Sequence, residues 1–504
     1  MAAIVRNFEL RAEFPPETLA AAQALPEEPS PEELAGRVDY TSPAAFTIDP
    51  EDAKDHDDAV AIRDGKDGGT QALVHIADVS FYVAEGSPVD LEARRRATSV
   101  YLPGLTFPML PPRLSSDLCS LREGALRLTK TIALTFSRNA RLVETRIERS
   151  YIRSAAFLTY EQVKQAVEEE RPGLARSPEV YGTLQRMRAF TQELRRRRLQ
   201  AGALDLDLPE TRLLLDEHGA VAGWEKQGHH WAHQLIEELM LAANRAVAEE
   251  LAARGLPGMF RVHEEPDPKA LRQFAEFVSE FGLTLRPPYD RVKLQRLLEK
   301  VRGRDHEEAV NFALLTSLKQ ARYSAECRPH YALAFTRYLH FTSPIRRYPD
   351  LVVHRALDGA FGPGAKSLPA ERAQRSGGDD YYRQVARLRS LSDHCSRRER
   401  ESDAAEEEAV KVRQLAFLRR NLRDCHEGVI TRVREFGFFV ELRDCRVEGL
   451  VRIQDLRDDH YEYLPQLHLL QGRRRGRTFR LGDKVQVRVL YVDQGRRQVG
   501  LGII

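Results

Sequence analysis

The stretch FTIDPEDAKDHDDAV, residues 46–60, places six acidic residues within ten consecutive positions directly after a short apolar run. An acidic cluster of this density most often marks a solvated loop. Here the flanks argue otherwise. Residues 45–48 and 59–62 are apolar and strand-like, so the acidic turn is expected to be pinned at both ends by buried sheet. Lys54 and His56 offset only part of the repulsion. Carboxylates gathered in this way either rise in pKa or recruit a cation.

Ligand chemistry selects the cation. Asp49, Asp55, Asp57 and Asp58 offer only hard oxygens, which suit magnesium, manganese or calcium and not soft-ligand metals. A calcium EF-hand counted from Asp55 would need Gly at the sixth position and Glu at the twelfth. The chain has Val60 and Lys66 there. Zinc is excluded because Cys119, Cys327, Cys395, Cys425 and Cys445 lie far apart without a C-x-x-C pair. An Asp cluster around magnesium, as one ion or as two about 4 Å apart, is the device of phosphoryl-transfer hydrolases. Magnesium is the expected cofactor, with manganese as a substitute.

Composition sets the limits of this reading. The chain has 504 residues, 42% of them hydrophobic, and no apolar run near the length of a membrane helix. This length allows two or three domains. No signal peptide is expected at MAAIVRNFELRAEF, and few, unpatterned cysteines fit a reducing cytoplasm. The 77 basic and 75 acidic residues nearly cancel, so partner information lies in their distribution. Basic runs fall at 94–96, 195–198, 346–347 and 473–477, and acid concentrates at 51–58 and 401–408. Basic patches beside an acidic metal site suit a polyanionic substrate. Taken alone, the run RRRR at 195–198 reads as a solvated helix face.

Three regions follow along the chain. Residues 1–40, rich in Pro, Glu and Ala, read as a lead-in segment with a short helix. Residues 41–422 mix early strands (ALVHIADVSFYV, TIALTFSR) with long amphipathic helices such as WAHQLIEELMLAANRAVAEELAARG, which predicts one large α+β catalytic domain. A mobile loop is expected at 362–380, followed by a long charged helix. Residues 423–504 change texture: EGVITRVREFGFFVEL, VEGLVRIQDL, GDKVQVRVLYVD and RQVGLGI predict a five-stranded OB-fold β-barrel. Phe436, Phe438 and Phe439 around Gly437, with Tyr461 and Tyr463 near RRRGR, predict rings beside arginines on which unpaired bases could stack. About half of these rings are expected in the barrel core.

TIDPEDAKDHDDAV, HIADVSFYV, TSVYLPG, PMLPPRLSSDLCSL, LIEELMLAANR and HFTSPIRRYPDLVVHR, in this order, resemble the catalytic domain of the ribonuclease II / ribonuclease R family. The tail resembles an S1-type RNA-binding domain. The resemblance implies a magnesium-dependent, processive exoribonuclease that trims single-stranded RNA from a free 3′ end to nucleoside 5′-monophosphates. It makes Asp49, Asp55, Asp57 and Asp58 the metal-binding and catalytic carboxylates and Arg346 the catalytic arginine. A guanidinium near the scissile phosphate stabilises charge developing on its oxygens. It further implies RNA contacts by Tyr101 on the terminal base, by Glu237 near the terminal ribose and by Glu406, while Arg347 and the barrel aromatics Phe436, Phe439 and Tyr461 are expected to contact RNA as well. Leu206 stands where the family carries an aromatic that sandwiches that base.

The family also carries cold-shock domains ahead of the catalytic domain, and only about 45 residues precede the acidic motif here; a weaker grip on substrate is the expectation. With no lysine-rich tail after Ile504, strong action on structured RNA is not expected. Neither is a preference for DNA nor a membrane partner, and a monomer is the expected state. The alternatives are a catalytically silent RNA-binding protein on the same fold and, less favoured, a two-metal endonuclease or a DNA-acting nuclease. The complete Asp set and Arg346 favour the exonuclease.

Overall fold

The computed structural model describes residues 1–206, 210–227, 230–304, 306–361, 378–464 and 469–504. Of the loop expected at 362–380, the part before Gly378 lies outside the described residues.

The first half is organised by β1 (Val38–Asp39), β2 (Phe46–Asp49), β3 (Asp58–Asp64), β4 (Thr70–Ala77), the hairpin β5 (Val100–Leu102) and β6 (Leu105–Phe107), β7 (Leu126–Phe136), β8 (Leu142–Arg153) and β9 (Ala156–Thr159). Seven of these form one sheet in the order β1-β8-β7-β4-β3-β2-β9, with β1 parallel to β8, β2 parallel to β9 and the other pairs antiparallel. Strand alternation divides its side chains between two cores. Val60, Ile62, Val74 and Ile76 pack against the helix Trp231–Ala253 through Leu235 and Leu239. Ala59, Ala61 and Leu73 pack on the opposite face with Val79, Leu110 and Leu118. Burial on both faces explains why these strands read as continuous apolar runs. Phe46 is fully buried, and burying such a ring contributes about 1.5–3 kcal/mol.

The run ALVHIADVSFYV does not continue as strand. After Ala77 the chain makes one helical turn, Val79–Tyr82. Asp78 stands at the break, and its buried carboxylate pairs with Arg37 at 2.8 Å and with Lys130. Those two cations hold its pKa well down against burial.

The N-terminal segment contains three short helices, Ala2–Asn7, Pro16–Gln23 and Pro31–Leu34, instead of one. It is knitted onto the first half: Ile4 and Leu10 share a core with Val100, Leu102, Phe107, Ala405 and Ala409. Arg96 donates to the carbonyl of Glu13 at 2.7 Å and lies 3.9 Å over the ring of Phe14. This segment therefore supports the hairpin β5–β6 from behind.

The long helix Gly378–Arg420 leads into a closed five-stranded barrel of Cys425–Arg434, Gly437–Leu442, Glu448–Arg452, Lys484–Asp493 and Gln498–Ile503. Leu415 and Leu418 of the helix join the barrel core beside Ile430, Val440 and Val487. Gly437 is demanded by close approach, since a Cβ there would sit 2.1 Å from the Val451 carbonyl oxygen at φ +148°. No described helix is long and apolar enough to cross a membrane.

Candidate active site

The acidic stretch is a clamped loop. Asp49 ends β2 and Asp58 begins β3, and the stretch from Lys54 to Asp57 between them is tied down. Ala77 donates its N–H to the Asp57 carbonyl at 2.9 Å, His56 donates its N–H to Ser120 Oγ at 3.1 Å, and Leu121 donates to the His56 carbonyl at 3.0 Å. The hydroxyl of Ser120 donates to the Lys54 carbonyl at 2.9 Å. The His56 ring meets Asp49 Oδ2 through Nδ1 at 2.8 Å and packs on Phe157. A solvated loop would show none of this.

The carboxylates carry the strain that the sequence implies. Asp57 is 5% exposed, and burial drives its pKa well above the usual carboxylate range. Arg346 and the Ile345 N–H oppose the shift, and Asp55 and Asp58 reinforce it. Asp58 is pushed up to about 8 by burial and then by Asp49, against Arg346 and Arg347. A buried and a half-buried carboxylate that repel their neighbours form a site in want of positive charge.

Arg346 supplies part of it. The loop 343–347 reaches the acids through the Ile345 N–H, which donates to Asp57 Oδ1 at 2.9 Å. This leaves Arg346 half-exposed, with Nε 3.9 Å from Asp57 Oδ2. Arg347 points the other way. Its side chain is 17% exposed and pairs at 2.7 Å with the fully buried Asp350, whose other bond is to the Ser343 N–H at 2.8 Å. Arg347, expected to contact RNA, is thus held by Asp350 and fixes the loop presenting Arg346.

The hairpin β5–β6 brings in the next group. Tyr101 is 40% exposed. Its hydroxyl donates to Asp55 Oδ2 at 3.1 Å and its N–H to Glu406 Oε1 at 3.1 Å. Ser99 donates to the Arg346 carbonyl at 2.9 Å. Asp55, Asp57, Tyr101, Arg346 and Glu406 thus converge, although they come from four separate stretches of chain. Glu237 and Leu206 form a second group. Glu237 lies 3.9 Å from Arg195 and 3.5 Å from Arg198, and Arg195 pairs at 2.6 Å with Asp205, the neighbour of Leu206. Leu206 itself packs partly against the helical core around Phe274 and Leu294. The RRRR run is accordingly not a plain solvated face: Arg198 is buried against Glu238 at 2.6 Å.

Sequence reasoning missed Tyr160. It follows β9, whose Thr159 is in register with Asp49, and its phenol feels the charges of Asp58 and Asp49. The His233 ring stacks on it at 4.0 Å. The pairing of β9 with β2 was the only available signal, and it is nonlocal.

In the barrel, Phe436 is 49% exposed and meets Phe439 edge to face at 6.2 Å, with the Arg432 guanidinium 4.3 Å over the Phe439 ring. This is an exposed ring platform beside a cation. Tyr461 is a correction. It is buried, with its hydroxyl donating to Asp458 at 3.0 Å and its ring against Phe479, because its strand folds over the barrel side. Arg473 and Arg477 are paired locally with Glu462 at 3.2 Å and Asp458 at 3.4 Å.

Comparison with known proteins fits this arrangement. The RNB domain model matches residues 37–361, and the S1 RNA binding domain model matches residues 423–504. The chain belongs to the RNB family of 3′-to-5′ exoribonucleases. It is 38% identical to ribonuclease R of Aquifex aeolicus over 99% of its own length and 70% of that protein. Ribonuclease R of Thermotoga maritima is 38% identical over 98% of this chain and 68% of that relative. Mycoplasma genitalium RNase R in complex with ribose methylated single-stranded RNA superposes with a TM-score of 0.89 at 26% identity, covering 100% of this chain and 77% of that one. RNB ribonucleases act on RNA and are generally dependent on a divalent metal.

The donor set accommodates such an ion. Among the described residues no three acidic, histidine or cysteine side chains close on one point tightly enough to encase a metal. Magnesium does not require this, since it is usually held by one or two carboxylates while waters and substrate phosphates complete its shell. The repelling pair Asp57 and Asp58, with Asp49 and Asp55 beside it, fits that pattern.

Proposed function

We propose that this chain is a magnesium-dependent, processive exoribonuclease that removes nucleoside 5′-monophosphates from the 3′ end of single-stranded RNA, acting as a cytoplasmic monomer. The observation that supports it is the convergence of the buried carboxylates, Arg346 and the Tyr101–Glu406 pair. Asp49, Asp55, Asp57 and Asp58 would hold magnesium, which when bound neutralises charge on the scissile phosphate and its leaving oxygen. The chain's own residues do the rest. The half-exposed Arg346 guanidinium stabilises charge on the phosphate oxygens in the transition state. The Tyr101 ring stacks on the terminal base and fixes which phosphodiester lies over the carboxylates. Phosphate contacts and stacking carry little base information, so sequence preference is slight.

Digestion of end-labelled single-stranded RNA tests this reading. Mononucleotide should appear first, only with magnesium, and not when the 3′ end is blocked. Internal fragments, or cleavage of the blocked RNA, would refute it.

A further inference from the structure

Between the helix Pro88–Arg96 and the long helix lies a cavity of about 770 Å³ that is open to solvent. Arg94, Arg95, Arg389 and Arg397 line it, with Asp393 as the single carboxylate and His394 beside them. The cause is helical spacing: Arg389, Asp393 and Arg397 recur at four-residue intervals, which places them on one face. Four permanently charged guanidiniums against one carboxylate leave an excess of positive charge. Neighbouring acids relieve little of it. Arg95 lies 3.7 Å from Glu92, but Glu92 is already shared with Arg11 at 2.7 Å and Arg96 at 3.0 Å. Arg389 has Glu326 at 3.3 Å, itself held by Arg328 at 2.7 Å. The His394 ring bonds the Arg94 carbonyl through Nε2 at 2.8 Å, which fixes the cavity wall.

The ligand is therefore anionic. Among the described residues no Phe, Tyr or Trp lines the cavity, so no ring is available to stack a base as Tyr101 and Phe436 can. A free nucleotide would be recognised through base and phosphate together, whereas a run of phosphates needs only charge. We infer that this cavity binds the phosphodiester backbone of RNA outside the catalytic site, as a second anchor. The inference rests on RNA being the substrate. Its placement gives it consequence. Arg397 precedes Glu406 by nine residues of the same helix, roughly 14 Å along the axis at 1.5 Å per residue. Arg94 and Arg95 lie on the helix that runs into the Tyr101 hairpin. Backbone held here bridges the two elements that meet at the Tyr101–Glu406 bond.

The test is equilibrium binding of the full chain to single-stranded RNA across a salt series without magnesium. Arg94→Gln combined with Arg397→Gln should reduce the slope of log K against log salt by about 1.4 on long RNA, two contacts at about 0.7 each for single strands. The slope for an RNA just long enough to fill the catalytic site should stay at its wild-type value. Lysine at both positions should restore the long-RNA slope. Should the first pair fail to fold by circular dichroism, Arg389→Gln with Arg397→Gln serves in its place. An unchanged slope on long RNA, or an equal loss on long and short RNA, overturns the anchor. If the wild-type chain itself neither binds nor degrades RNA, the functional reading fails instead.

Discussion

The N–H of Ile345 donates to Oδ1 of Asp57 at 2.9 Å across 288 positions of sequence. This bond joins the acidic loop to the loop that presents Arg346, and it fixes the orientation of the most buried carboxylate of the site. Asn at position 57 can keep its oxygen on that N–H. Asp57→Asn should therefore fold normally and, in metal-free buffer, melt no lower than wild type, because a charge that burial disfavours is gone. Cleavage should fall on the order of a hundredfold or more, as when one transition-state electrostatic contact is lost. RNA affinity should persist or rise slightly. Single-turnover rates beside binding and melting curves check all three, and near wild-type cleavage would return the cluster to a mere acidic loop.

Arg346 and Arg347 are adjacent in sequence and opposite in role. Arg346→Lys keeps a charge but loses the planar fork that spans two phosphate oxygens. Its cleavage rate should drop while folding stability stays within about 0.5 kcal/mol of wild type, as for exposed substitutions. Arg347→Ala strands the fully buried Asp350 and should cost about 3–5 kcal/mol of stability, the range for breaking a buried ion pair. Denaturant titration of the two variants separates them; equal stability losses would contradict the assignment.

The sheet was legible because its strands are continuous apolar runs, and the barrel because its strands alternate apolar and polar residues between Gly and Asp turns. The acidic loop was legible because its residue types admit few other uses. What the sequence hid is nonlocal. Nothing around Arg347 says which of two adjacent arginines turns inward, since Asp350 decides it through the fold of its helix. Tyr461 sits in an aromatic-rich stretch next to arginines, yet its strand closes over Phe479 and becomes packing. Tyr160 lies 102 positions after Asp58 and approaches it only through the β9–β2 pairing. The Pro- and Glu-rich first 40 residues concealed their docking because the partners of Ile4 and Leu10, Val100 and Ala405, are distant in sequence.

Tyr101→Ala removes a half-exposed ring and its bond to Asp55 but leaves the backbone bond to Glu406 intact. Stacking on the terminal base is worth about 1–3 kcal/mol, and this matters most for short RNAs held by few other contacts. The limit product of digestion should therefore lengthen, while the initial rate on long RNA changes less. Sizing the end products by gel or mass spectrometry gives the result directly. An unchanged limit product would make Tyr101 a packing residue.

The barrel's contribution to grip needs a point substitution. Deleting residues 425–504 would uncover Leu415 and Leu418, which are buried in the shared core with Ile430 and Val440. Loss of affinity in that truncation would then confuse RNA contact with exposure of apolar surface. Phe436 offers a cleaner probe: it is 49% exposed, it meets Phe439 edge to face, and it is not a member of the buried barrel core. Phe436→Ala should leave the melting temperature unchanged and weaken long-RNA binding by about 1–3 kcal/mol, the value of one base stacked on one ring. The salt slope should not move, because no phosphate contact has been removed. Arg432→Gln, beside the same ring, should do the reverse and lower the slope by about 0.7. If Phe436→Ala binds RNA as wild type does, the barrel holds its substrate by charge alone and the ring platform has no part in it.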